Sequence, residues 1–72
     1  ETVADTCLEI ARRYRLSPRE TEVFTLLAQG RTRSFIQEEL VLSDGTVKTH
    51  VTHIYAKLGV HDRQEMMDLI WN

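Results

Sequence analysis

The sequence predicts an all-α domain organised around a helix-turn-helix, and three observations carry that prediction. No stretch alternates apolar and polar residues for long enough to make a strand, and the 72 residues hold one proline. Helix start and stop signals recur at helix-length intervals: Ser17-Pro18-Arg19-Glu20, Gly30, Ser43, Gly59 and Asp62. Only Val41-Leu42-Ser43 separates two of the helices so marked. Helices joined by so brief a turn cannot run antiparallel along their length and must cross at a steep angle.

Taken in order, the first helix is expected over 3–14, with Val3, Cys7, Leu8, Ile10, Ala11 and Tyr14 as its apolar set. Residues 1–15 read as a linker or accessory helix and 16–72 as the domain proper. The second helix has the strongest start signal in the chain. Ser17 stands as N-cap, Pro18 occupies the first helical position, Glu20 completes a capping box, and Leu16 can staple onto the first turn. It carries Val23, Phe24, Leu26 and Leu27 inward and stops at Gly30, a residue suited to the left-handed position. A third helix, over about 32–41, buries Ile36 and Leu40. Ser43 caps a fourth over 44–58, which ends at Gly59. Asp62 and Glu65 form a second capping box, opening a last helix through Met66, Met67, Leu69, Ile70 and Trp71.

Length allows one small domain with a modest core. The single cysteine, Cys7, permits no internal disulfide and fits a reducing, cytoplasmic compartment. No apolar run approaches a membrane span and nothing resembles a signal peptide. The chain opens on Glu1 without a methionine, as a piece of a larger protein would. Net charge is −2, which argues weakly against a polyanionic partner. Its distribution matters more, because salt screens each charge beyond about 10 Å. The acids gather in the first half (Glu1, Asp5, Glu9, Glu20, Glu22, Glu38, Glu39) and the last helix (Asp62, Glu65, Asp68), and none lies between Gly45 and His61.

The fourth helix divides cleanly by face. At 100° per residue Val47, Val51, Ile54, Tyr55 and Leu58 form one inward stripe. Opposite lie Gly45, Thr49, Thr52 and Ala56, edged by Lys48 and His53. An ordinary solvated face would mix Glu with Lys; this one carries no acid and little bulk. One reading is a recognition helix in a DNA major groove, with Lys48, Thr49 and Thr52 toward base edges. The other is a threonine-rich solvent face on a small bundle. Thr46, Thr49 and Thr52 are mediocre helix formers and so need a reason, which contact with phosphates and methyl groups supplies. Lys48 near a helix N-terminus opposes the dipole and needs one too; Lys57 near the C-terminus does not.

Several blocks resemble one family at once. Leu16-Ser17-Pro18-Arg19-Glu20, Glu22-Val23, Leu26-Leu27-Ala28-Gln29-Gly30, Thr46-Val47-Lys48-Thr49-His50-Val51 and Lys57-Leu58-Gly59-Val60 are similar, in order and spacing, to the C-terminal DNA-binding domain of LuxR-type regulators. The resemblance covers roughly Leu16 to Leu69. It implies a four-helix core with a helix-turn-helix, double-stranded DNA as partner, a homodimer on an inverted repeat, and RNA polymerase as a further partner. It places Lys48, Thr49 and Thr52 at base-reading positions. Arg33, Ser34, Thr46, His53 and Lys57 fall at backbone-contacting positions, and Met66, Met67 and Ile70 at a dimer contact. It implies no cofactor, no metal, no small-molecule ligand and no enzymatic activity. The N-terminal helix and the run from Ile54 to Glu65 are similar to a subgroup whose domain follows a multi-spanning membrane sensor.

The chain also departs from the family pattern. Thr52 stands where a longer polar or basic residue is common, and Arg33-Ser34-Phe35 replaces a usual Asn-Lys-Glu, removing one phosphate-contacting lysine. Gln37 replaces a small residue, and Gly45 weakens the start of the fourth helix by up to about 1 kcal/mol. These departures point to a weak grip that needs doubling. Two competing chemistries find little support. His50 and His53 lack a third ligand nearby for zinc, and Cys7 has no base or oxyanion site and reads as core. A helical protein-interaction module that has lost DNA is the reading from another class.

Overall fold

A computed structural model describes residues 2–71. Among them are five helices: α1 (Val3–Arg13), α2 (Pro18–Ala28), α3 (Arg33–Leu40), α4 (Asp44–Leu58) and α5 (Arg63–Trp71). Their starts follow from side-chain oxygens that satisfy free amides. Ser17 Oγ accepts from the Glu20 N–H at 3.1 Å while Glu20 Oε1 accepts from the Ser17 N–H at 2.8 Å, the reciprocal box the sequence predicts. Thr32 and Ser43 cap α3 and α4 with a single bond each, the side-chain oxygen accepting from the amide three residues on at 3.1 Å. A further box, unread in the sequence, joins Thr2 and Asp5 at the start of α1. At α5 the expected box is only half made. The Glu65 N–H donates to Asp62 Oδ1 at 2.8 Å, but Glu65 Oε1 accepts from the His61 N–H at 2.7 Å, one residue upstream of the intended cap.

The first four helices all end with the same closing bond, from the residue after the left-handed one back to a carbonyl five residues earlier. Leu16 N–H reaches Ala11 O, Arg31 reaches Leu26 O, Leu42 reaches Gln37 O and Val60 reaches Tyr55 O, at 2.9–3.0 Å. That closure requires a left-handed residue. Gly30 (φ 85°) and Gly59 (φ 73°) supply it for α2 and α4, whereas Arg15 (φ 59°) and Val41 (φ 54°) adopt it despite their side chains. A β-branched residue there is strained. Val41 tolerates it because the turn between α3 and α4 must reverse within three residues.

One core unites the helices. Phe24, Val23 and Leu27 of α2 meet Cys7 and Ile10 of α1, Ile36 of α3, Val47, Ile54 and Leu58 of α4, and Met66 and Ile70 of α5. α2 lies between α1 and α4, α3 crosses onto α4, and α5 returns to α1. Cys7 is fully buried, as expected, and burial pushes its thiol up from the ordinary range. Thus α1 shares the core rather than trailing from it. Leu26 and Leu40, expected inside, are only half-buried. Ile36 is the one buried side chain of α3, so this short helix is held by a single fully covered anchor. No described helix is long and apolar enough to cross a membrane.

Candidate nucleic-acid interface

The helix-turn-helix made by α3 and α4 leaves one face of α4 uncovered. Val47, Ile54 and Leu58 are buried and Val51 and Tyr55 half-buried, as the periodicity predicts. Gly45, Thr46, Lys48, Thr49, Thr52, His53, Ala56 and Lys57 are all exposed, and His50 lies half-buried at the edge. The base-facing candidates Lys48, Thr49 and Thr52 therefore share one accessible surface. Arg33 and Ser34 stand exposed at the start of α3 beside it.

At the N-terminal end of α4 the side chains are engaged locally. Ser43 Oγ donates to Thr46 Oγ1 at 2.9 Å. Asp44, in the first turn, sits between the two nearest cations: its Oδ2 is 3.3 Å from Lys48 Nζ and its Oδ1 3.9 Å from Arg33 Nε. All three side chains are about half exposed, so these pairs contribute little to stability and open readily. The i, i+4 spacing of Asp44 and Lys48 is legible in the sequence; the approach of Arg33 is not. Thr49 Oγ1 donates to Gly45 O and Thr52 Oγ1 to Lys48 O, both at 3.0 Å. Gly45 has open space where a Cβ would sit, so nothing inside the protein calls for glycine at this position. Arg31, not singled out from the sequence, stacks its guanidinium 4.5 Å from the centre of the Phe35 ring.

The C-terminal half of α4 is tied inward. Lys57 Nζ donates to Glu20 Oε1 at 2.7 Å and to Arg15 O at 3.3 Å, and His53 Nδ1 lies 3.9 Å from Glu20 Oε2. Glu20 is only 5% exposed. The Lys57 ammonium and the Ser17 backbone amide hold its carboxyl below the ordinary carboxylate range, against the opposing effect of burial. Lys57 and His53, both expected at a nucleic-acid backbone, thus gather around the capping carboxylate of α2, and the Lys57 bonds tie α4 to that helix. Arg63 does similar work at the other end of α2, donating to Leu27 O at 2.8 Å and Arg31 O at 3.2 Å. Sequence reasoning missed both Glu20 as a tertiary partner and Arg63, since each contact joins residues more than thirty positions apart.

The expected dimer set requires correction. Met66 is fully buried and Ile70 nearly so, because their i, i+4 spacing puts both on the inward side of α5. They serve the core of this chain. Met67 is half-buried, and Trp71, at 58% exposure, is the large apolar group that α5 presents outward. Among the described residues no three His, Cys, Asp or Glu side chains gather as a metal would require.

A family model described as bacterial regulatory proteins, luxR family, matches residues 14–70. The chain belongs to the LuxR family. It is 48% identical over 50 residues to the transcriptional regulatory protein LiaR of Bacillus subtilis (strain 168), a match covering 69% of this chain and 24% of that protein. It is 50% identical over 48 residues to the probable transcriptional regulatory protein NarL of Mycobacterium tuberculosis (strain CDC 1551 / Oshkosh), covering 67% and 22%. It is 42% identical over 52 residues to the probable HTH-type transcriptional regulator GfsR of Streptomyces halstedii, covering 72% and 21%. The chain spans about a quarter or less of the length of these curated relatives. No solved structure matches it significantly. The family accounts for the all-helical core and for the helix-turn-helix of α3 and α4.

Proposed function

We propose that this chain is the sequence-selective DNA-binding output domain of a bacterial transcriptional regulator, with α4 as the recognition helix in the major groove. The observation that carries the reading is the exposed, acid-free face of α4 from Gly45 to Ala56, presented by a LuxR-type helix-turn-helix. Lys48, Thr49 and Thr52 face base edges. Arg33, Ser34 and Thr46 engage phosphates near the start of α4, where free amides and the helix dipole also favour an anion. Gly45 lets a phosphate approach that turn closely. Lys57 contacts the backbone with the charge its pairing with Glu20 leaves available, and His53 does so through its exposed ring.

Two copies bind an inverted repeat, meeting through Met67 and Trp71 of α5, with the DNA-bound pair recruiting RNA polymerase. α1 links the domain to the rest of a longer regulator. Similarity to relatives named as transcriptional regulators supports the regulatory role. The test is to select duplexes from a random library with this chain, then titrate the selected and a scrambled duplex by fluorescence anisotropy at two salt concentrations. Tighter binding to the selected duplex, falling steeply with salt, is the expected result. Salt-insensitive self-association without duplex preference would replace this reading with a protein-interaction module.

A further inference from the structure

The hydroxyls of Thr49 and Thr52 are turned toward their own helix, and this sets what α4 can read. A threonine side chain has two heavy atoms beyond Cβ, a hydroxyl oxygen and a methyl carbon. In each of these residues the hydroxyl hydrogen is committed to the carbonyl four residues earlier, Gly45 O and Lys48 O, at 3.0 Å. A hydroxyl so engaged has no hydrogen left for guanine N7 or O6 or for thymine O4. What remains to offer at these exposed positions is the γ-methyl group and an oxygen that can only accept, as from adenine N6–H or cytosine N4–H. Ala56, one turn further on and equally exposed, adds another methyl to the same face.

We infer that Thr49 and Thr52 read DNA through their methyl groups, selecting the C5-methyl of thymine, while Lys48 is the one hydrogen-bond donor among the three base-facing residues. This rests on the proposed placement of α4 in the major groove and goes beyond it by assigning the chemistry each residue reads. Of the two contacts left to such a side chain, apolar contact with the thymine methyl is the one that uses the group every threonine rotamer of this face retains. The serine and valine variants below separate it from acceptance by the oxygen. Back-bonding also freezes the side-chain rotamer, so the methyl is placed before DNA arrives.

The experiment takes the duplex selected above and replaces each thymidine in turn by deoxyuridine, which removes only the C5-methyl group. Wild-type affinity should fall about fourfold at one or two positions per half-site, the size expected for losing one buried methyl. Thr49→Ser and Thr52→Ser keep the hydroxyl and lose the methyl. Each should bind the thymidine duplex more weakly by a similar factor and become indifferent to uridine at its own position. Thr49→Val and Thr52→Val keep a methyl and lose the hydroxyl, and should retain the thymidine preference. Sequence-selective binding with no sensitivity to uridine at any position overturns the inference and leaves the DNA-binding reading intact. A thymidine preference that survives in the serine variants and vanishes in the valine variants also overturns it. Failure to select any duplex overturns both.

Discussion

The two ends of α4 carry the same kinds of group, a carboxylate facing a lysine, to opposite ends. At the C-terminal half Lys57 closes on Glu20, a carboxylate almost without solvent that also caps α2. At the N-terminal end Lys48 leans on Asp44, where both side chains are half exposed. The first pair is part of the packing on the carboxylate side: Glu20 is covered, and its oxygens accept from a backbone amide and from an ammonium that keeps its own outer side in solvent. The second is surface electrostatics, held loosely enough for a phosphate or base to take the lysine. Burial, not residue type, separates the half of α4 that anchors it from the half that is free to bind.

The contrast is sharpest in stability. Glu20→Ala removes a cap and the closest acceptor of the Lys57 ammonium, and should cost about 2–3 kcal/mol. In a domain of this size that lowers Tm by about 10–20 °C. Asp44→Ala should cost well under about 1 kcal/mol. Equal losses in thermal melts would erase the distinction between the two ends.

Binding should invert the order. Lys48→Ala is expected to lose about 1–3 kcal/mol of affinity for a selected duplex with Tm nearly unchanged. Lys57→Ala should lower Tm and weaken selected and scrambled duplexes alike, with a flatter salt slope. Anisotropy and melting on both variants decide which lysine reads sequence. Asp44→Asn should tighten binding to any duplex about fivefold at low salt, by removing a carboxylate from the approaching phosphates and releasing Lys48 and Arg33. Weaker binding by that variant would instead make Asp44 a positioning group for Lys48.

pH separates the ends as well. The folded-state pKa of Glu20 is depressed, so its stabilising contribution is complete above the unfolded value of about 4.5 and is lost as pH falls through that value toward the lower folded one. The stability gap between wild type and Glu20→Gln should be constant from neutral pH to about pH 5 and shrink in more acidic solution. Chemical denaturation at a series of pH values reads it directly; a gap that grows on acidification has the wrong sign for this pair. The smallest effect belongs to the turn that precedes α4. Val41 is 89% exposed and left-handed, so Val41→Gly relieves backbone strain without losing contacts and should gain about 0.5–1 kcal/mol. A loss on that substitution would mean that the valine side chain, not the backbone, shapes the turn.

Local signals made much of this protein legible. The Ser17–Glu20 box, the Ser43 cap, the glycine stops at 30 and 59, the bounds of α4 and its inward stripe are all written within a few neighbouring residues. They survive folding because capping and helical periodicity depend on nothing further away. The helix ends at Arg15 and Val41 were not legible as left-handed turns, because no glycine marks them and only the demand for a tight reversal imposes the conformation. The exposed face of α4 was legible as well, down to Lys48, Thr49 and Thr52.

What tertiary structure alone decided is how the polar groups on and around that face are spent. Glu20 reads in sequence as a capping residue, and folding makes it the anchor of Lys57 and the neighbour of His53. Met66 and Ile70 read as a dimer surface, and the rotation of α5 turns them into core. Arg33 meets Asp44 only because α3 crosses α4. Capping and periodicity are properties of consecutive residues, whereas ion pairs and burial depend on which helices meet and at what angle. The sequence by itself therefore determined the elements, most of their caps and the face left uncovered; the packing of α2 and α3 against α4 decided which charges on that helix remain available to a partner.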